Sequence, residues 1–332
     1  VIAPAVRSGL LKGHVVNTLL TRRLLQLLPM LFFISLVAFL LVKLAPGDPV
    51  AAYITPRMAP EDIERIRQSL GLDKPLVTQY VLWLKNVLQG DLGYSLIYHR
   101  PVLEMIGERI PATLGLMGAS LLMAIVLAIP LGLLAGAFKH RWLDHLLNLF
   151  AYIGISVPIF WFGILLITVF SVQLNWFPSM GMRTIGMEDN GLDLLRHGVL
   201  PCIALTFYNL SSYVRYIRSN TISQLSADYV QTQLAYGATR SSILFRHVLK
   251  NVLLPVITLF GLSFGELIVG AYVTESVFSW PGMGLLGIQS IASLDYPLIM
   301  AIIMLSSMML IVGNLIADVL YRFADPRIRT LR

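Results

Sequence analysis

Long uncharged runs alternate with short polar segments along the chain, and that pattern predicts its architecture. Leu24 to Val42, Thr113 to Phe138 and Leu146 to Phe177 carry no charge. Gly198 to Val214 forms a fourth run ending at Arg215, and Asn251 to Thr274 a fifth, interrupted only by Glu266. Tyr296 to Ala317 is the sixth, ending at Asp318. Each is near or above the roughly 20 residues that cross a bilayer core. Backbone amides in lipid must be bonded within their own segment, so each run predicts a helix. The pattern describes an all-α, polytopic membrane protein with six transmembrane helices.

Composition sharpens this reading. Of 332 residues, 56% are hydrophobic and 13% charged, with a mean hydropathy of +0.74. That is too little charge to cover a soluble surface. The single cysteine, Cys202, leaves no internal disulfide framework and no thiolate metal cluster. The net charge of +7 would suggest an acidic partner on a soluble protein, but here its placement sets orientation. Arg7, Lys12, Arg22 and Arg23 precede the first run, and Lys139 and Arg141 follow the second. Arg215, Arg218, Arg240, Arg246 and Lys250 surround the link between the fourth and fifth, and Arg322, Arg327, Arg329 and Arg332 follow the sixth. The opposite loops hold Glu188, Asp189, Asp193, Glu275 and Asp295. By the excess of cations on cytoplasmic loops, both termini face the cytoplasm. Residues 1–20 read as a cytoplasmic lead-in and not as a signal peptide, because no small-residue cleavage pattern follows the first run.

Two loops are long enough to carry function. The external segment from Ala45 to Ile110 opens with Pro46-Gly47-Asp48-Pro49. It then predicts a charged helix over Glu61 to Leu70, stopped at Gly71, and a second over Leu76 to Leu88. In the second, Leu76, Tyr80, Trp83, Leu84, Val87 and Leu88 share a face. This insertion reads either as a helical cap or as a docking surface for a delivering protein. The cytoplasmic segment from Ile217 to Asn251 is polar, with a narrow apolar edge at Tyr229, Val230, Leu234 and Ala235 before Gly237. It suits a protein contact at the membrane surface. The alternative is a helix lying among lipid headgroups.

Several blocks, in this order, resemble the dipeptide, oligopeptide and nickel permeases of bacterial ABC importers. They are Arg22-Arg23-Leu24, Pro46-Gly47-Asp48-Pro49, Leu70-Gly71-Leu72-Asp73-Lys74-Pro75-Leu76, Gly90-Asp91-Leu92-Gly93, Arg100-Pro101-Val102 and Pro111-Ala112-Thr113-Leu114. Phe278-Ser279-Trp280-Pro281-Gly282-Met283-Gly284, Asp295-Tyr296-Pro297 and Asp325-Pro326-Arg327-Ile328-Arg329 complete the series. The cytoplasmic segment is similar to the loop by which such permeases dock onto an ATPase. Asp228, Tyr229, Val230, Thr232, Ala235 and Gly237 agree with the family pattern, and Ala238 and Arg246 continue the segment. Gln231, Gln233, Leu234 and Tyr236 replace basic or small residues of that pattern.

The resemblance implies an ABC type I importer permease architecture in the bacterial inner membrane. Residues 1–20 would be a lead-in, 21–44 the first span, 45–112 an external helical insertion, 113–322 a five-helix core containing the coupling loop 217–250, and 323–332 a cytoplasmic tail. It implies a second, homologous permease, two cytoplasmic ATPases and an external binding protein as partners. The cargo class it implies is peptides or a related small solute such as a nickel chelate, glutathione or an opine. ATP and Mg would bind the partner ATPases and not this chain, which has no G-x-x-x-x-G-K-[ST] segment. A secondary transporter working without ATPases is the competing reading. It would need coupling-ion residues within the spans, where only Glu266 qualifies. A membrane-embedded enzyme would need motifs such as H-E-x-x-H or G-x-S-x-G, which the chain lacks.

Candidate chemistry is sparse. Glu266 costs about 2.5–3.5 kcal/mol to place in a span, so it should face protein or water. It is either a pore-lining group or a hydrogen-bond partner of a neighbouring helix. The histidines, at positions 14, 99, 140, 145, 197 and 247, lie in loops or at helix ends, and no pair has a ligand spacing within a span. No catalytic or metal-binding residue is assigned. Trp161, Trp176 and Trp280 read as aromatic anchors at the interfaces. Gly132 with Gly136, and Gly261 with Gly265, form small-xxx-small pairs suited to close helix packing, including packing on a second permease. Asp318 is expected to pair with Arg322 at i,i+4.

Overall fold

The computed structural model describes residues 28–44, 50, 59–69, 71–187, 189–253, 256–257, 259–260, 263 and 272–324, with 317–324 as backbone. Glu266, Gly261, Gly265, the blocks at 46–49 and 325–329, residues 1–20 and most of the fifth run lie outside the described residues. So do the side chains of Asp318 and Arg322. All named elements among the described residues are helices, and the one extended pairing is an isolated bridge between Tyr94 and Pro101.

Residues 1–106 with 289–316 form one compact unit, and 107–288 with 317–332 a second. The first unit contains α1 (Leu28–Leu44), α2 (Pro60–Ser69), α3 (Leu76–Leu88), the start of α4 (Val102–Ala137), the end of α11 (Met283–Ala292) and most of α12 (Tyr296–Ala324). Helix α2 forms because Glu61 and Asp62 stand at its positive end, and Gly71 beyond it takes φ +66°. Helix α3 buries Tyr80 against Ala38 and Phe39 of α1 and Met300 of α12. The Tyr80 and Ser35 hydroxyls lie 2.7 Å apart, and the Phe39 and Tyr80 rings meet edge to face at 5.4 Å. This contact falls midway along α1, so α3 packs beside the first apolar helix instead of capping its end. Leu76 and Leu88, assigned to the same face by periodicity, are exposed. Asp295, fully buried just ahead of α12, accepts from the Ser95 hydroxyl and the Leu96 amide (3.3 Å), which fixes the turn after Gly93.

The second unit contains the rest of α4, α5 (Trp142–Ser156), α6 (Ile159–Gln173), α7 (Gly191–Leu225), α8 (Asp228–Ala235), α9 (240–253), α10 (Tyr272–Val277) and the start of α11. Its core joins Leu116, Leu121, Ala124, Leu133, Ile217, Val248 and Val252. Two differences from the predicted runs stand out. The third run is not one straight helix, because α5 and α6 meet at 102°. Pro158 explains the break: it cannot continue the ladder and forces Val157 into an extended conformation (φ −80°, ψ 123°). The fourth run is the middle of a 35-residue helix that extends beyond it at both ends, about 52 Å against a core of about 30 Å. By length and composition α4 and α12 can each cross a membrane alone, and α5 with α6 as a bent pair.

Gly132 and Gly136 do form a packing stripe, and its partner lies within this chain. A Cβ at Gly132 would sit 2.6 Å from Ile217, and one at Gly136 2.5 Å from Thr221, both on α7. Trp161 and Trp176 are half exposed, as interface anchors would be, but Trp280 is not one of them. It is buried in the core and donates its indole N–H to the Ala112 carbonyl at 3.0 Å. An indole can be buried where its one donor finds an acceptor, which periodicity could not show.

Candidate functional site

The polar segment at the end of α7 is built from short pieces held by buried anchors. Helix α8 has eight residues, too few to persist alone in water. Asp228 stands in its first turn, at the positive end of the helix. Val230 is buried in the same core cluster as Ile243, Leu244 and Val248 of α9. The Tyr229 hydroxyl donates to Gln224 Oε1 at 3.1 Å, and the same oxygen accepts from Asn251 Nδ2 at 3.0 Å. One amide oxygen of α7 therefore ties α8 and α9 to it.

Gly237 ends α8. Its φ is +80°, its N–H donates to the Leu234 carbonyl at 2.9 Å, and the Ala238 N–H reaches back to the Gln233 carbonyl at 3.0 Å. This is a Schellman cap, which uses a left-handed residue that glycine adopts without steric cost. No atom lies within 4 Å of a Cβ placed there, so the turn, and not crowding inside this chain, requires glycine. Thr239 then caps α9 by accepting from the Ser242 N–H at 3.3 Å. Asp228, Thr232, Ala235 and Gly237 are exposed, Tyr229 and Ala238 half-buried and Val230 buried; Arg246 is exposed on α9.

Two turns before Gln224, α7 carries an ion pair that spacing along the chain does not reveal. Asp144, 1% exposed, accepts from Arg218 Nε at 2.5 Å and Nη2 at 2.8 Å. It also accepts from the His140 N–H at 2.9 Å and Asn148 Nδ2 at 2.7 Å. Asp144 lies in the first turn of α5, ahead of the apolar run that opens at Leu146. The Arg218 guanidinium holds its carboxyl down at about 2, helped by the His140 amide and Asn148 and opposed by burial. The pair joins α5 to α7 close to the segment that carries α8.

At the other end of the unit, Glu275 of α10 is fully buried. It accepts from the Thr113 hydroxyl at 2.8 Å and the Leu285 N–H at 3.0 Å, while Thr113 accepts from the Met283 N–H at 2.7 Å. The block from Phe278 to Gly284 is thereby folded onto α4. Its glycines are needed for space: a Cβ on Gly282 would lie 2.3 Å from Thr113 Oγ1 and 2.4 Å from Glu275 Oε1. Asp193, before the fourth run, accepts from the Thr184 N–H and hydroxyl at 2.7 and 2.9 Å. These amide and hydroxyl bonds hold its carboxyl below the usual range. Glu275 and Asp193 read from the sequence as acids of the external loops, and Asp144 carries no signal there. Each is instead a buried staple, and Gln224 and Asn251 were not singled out at all.

The model of the family "Binding-protein-dependent transport system inner membrane component" matches residues 128–330. The chain belongs to this family. A second model, for the N-terminal part of such membrane components, matches residues 16–117 of the permease. The oligopeptide transport system permease protein AppB of Bacillus subtilis is 41% identical over 308 residues, spanning 92% of this chain and 98% of that one. The glutathione transport system permease protein GsiC of Escherichia coli is 40% identical over 308 residues, spanning 93% and 97%. Among solved structures, an inward-facing MetNI methionine ABC transporter chain aligns with a TM-score of 0.49 and 15% identity, covering 67% of this chain and 97% of that one. The protein is a multi-pass inner-membrane permease subunit of an importer, and its role is transport, not catalysis.

Proposed function

We propose that this permease forms one half of the translocation path of an ATP-driven importer for peptides or a related small solute such as glutathione. An external binding protein delivers the cargo, a second homologous permease completes the path, and two cytoplasmic ATPases bind ATP and Mg and drive the cycle. Both termini and α8 face the cytoplasm. The observation that carries the reading is α8 itself, a short helix fastened from behind by Val230 and Tyr229 and capped at Gly237, with its other face left to solvent. A helix so fastened can transmit a push without unfolding. The similarity to peptide and glutathione permeases supports the cargo class.

The test is uptake into vesicles containing both permeases and the binding protein, with and without the ATPases. Uptake is expected only with ATPases and ATP present; uptake driven by an ion gradient in their absence would establish a secondary transporter instead. Orientation is tested by single cysteines in a Cys202→Ala background. Ser293→Cys is expected to label from outside intact cells and Ser241→Cys is not, and the reverse pattern would overturn the topology.

A further inference from the structure

We infer that the outward face of α8 and its cap seat in an uncharged cleft of the ATPase that accepts a tyrosine side chain, so that this permease selects its motor by shape and apolar contact. The inference rests on α8 being the motor contact. It follows from what that face displays. From Ser219 to Thr239 the chain carries one charged residue, Asp228. The inward side of α8 is already used: Val230 is 4% exposed and Tyr229 is bonded to Gln224. What remains outward is Asp228 in the first turn and, along the rest of the helix, Gln231, Thr232, Leu234, Ala235 and Tyr236.

Tyr236 dominates that surface. It is the last residue before the left-handed turn at Gly237, and it is 85% exposed, with Leu234 at 39%. The Schellman cap fixes the backbone beneath it, so little backbone entropy would be lost on docking. A rigidly mounted, solvated tyrosine in a segment otherwise short of charge has the properties of a binding anchor. The absence of cations argues against headgroups as the occupant. A segment that adheres to an anionic leaflet is held by Lys and Arg, each contributing about 1 kcal/mol, and α8 has neither. A carboxylate-rich groove would gain nothing from Gln231 or Thr232 and would have to desolvate its own charges against them, and a strongly basic one would find a single counter-charge, Asp228.

The measurement is the affinity of the ATPase for the assembled permease pair in nanodiscs, at about 50 and about 500 mM NaCl. Binding is expected to change less than about twofold across that range, and Tyr236→Ala to weaken it about 30-fold, as loss of a buried tyrosine anchor does. Tyr236→Phe should retain most of the affinity, and thermal melting checks that the variants remain folded. Wild-type binding that falls about tenfold or more with salt, with Tyr236→Ala neutral, would overturn the uncharged cleft while leaving α8 as the motor contact. Binding that requires anionic lipid and ignores Tyr236→Ala would assign this face to the membrane and overturn the proposal. Gly237→Asp that binds ATPase normally would instead overturn α8 as the contact, and the cleft with it.

Discussion

Removal of the Asp144 carboxylate should loosen the junction between α5 and α7 more than any surface change nearby. The side chain is 1% exposed and accepts from Arg218, His140 and Asn148 at 2.5–2.9 Å. Breaking a buried ion pair from one side costs about 3–5 kcal/mol. Arg218 keeps 23% of its side chain exposed and can recover some hydration, so the lower end applies, about 3 kcal/mol. A second route agrees. The carboxyl is held at about 2 against about 3.9 when free, a contribution of the same order, roughly 2–3 kcal/mol. The folded value lies below the unfolded one, so this stabilisation is fully present above about pH 4 and is lost as pH falls through about 2. Melting of the detergent-solubilised permease at one scan rate should show Asp144→Ala about 5 °C below wild type at pH 7. The gap should narrow steadily below pH 4. In a double-mutant cycle, Asp144→Ala with Arg218→Ala should cost at least 1 kcal/mol less than the sum of the two, about the least expected for coupled neighbours. An additive cycle, or a gap independent of pH, would refute the argument that the pair is a buried latch.

Gly132→Leu should separate α4 from α7 and lower the melting temperature well beyond Gly115→Leu, whose added Cβ meets nothing within 4 Å; equal melting of the two variants would show that the 2.6 Å contact with Ile217 is not a constraint. Gly282→Ala should disturb the Thr113–Glu275 bond and reduce the yield of folded permease in detergent. Thr113→Ala in the same chain should relieve part of that loss, and no relief would place the clash elsewhere.

How much of this could be read in the sequence depended on the range of the interaction. Helices α2 and α3 were legible because acids, Pro75 and Gly71 punctuate them locally. The cap at Gly237 was legible as glycine following a short amphipathic stretch, though not that the space around it is empty. The break at Pro158 was hidden by the uncharged run on both sides, since hydropathy alone does not distinguish a straight span from a bent pair. Glu275 and Asp295 read as ordinary loop acids and Asp144 gave no signal, because their partners are far along the chain: Arg218 is 74 residues from Asp144, Thr113 162 from Glu275 and Ser95 200 from Asp295. Periodicity reports neighbours at three and four residues and carries no signal at such distances. Trp280 misled for a related reason, because an indole suits both a membrane interface and a core with a free carbonyl.

The glycine contacts on α7 also have a mechanical reading. Gly132, Gly136 and Gly154 bring α4 and α5 against Ile217, Thr221 and Ser211, so α7 is held most closely over a short stretch near its α8 end. From the middle of that grip, Leu225 is about 14 Å away and Gly191 about 38 Å at 1.5 Å per residue. The helix is thus a lever with unequal arms. A tilt about the grip that moves the α8 attachment by about 1 Å would sweep the far end, with Asp193 and the loop it holds, by nearly 3 Å, about the ratio of the arms. The long arm trades force for travel, so a small stroke at the α8 end of the helix is geared up at its Asp193 end.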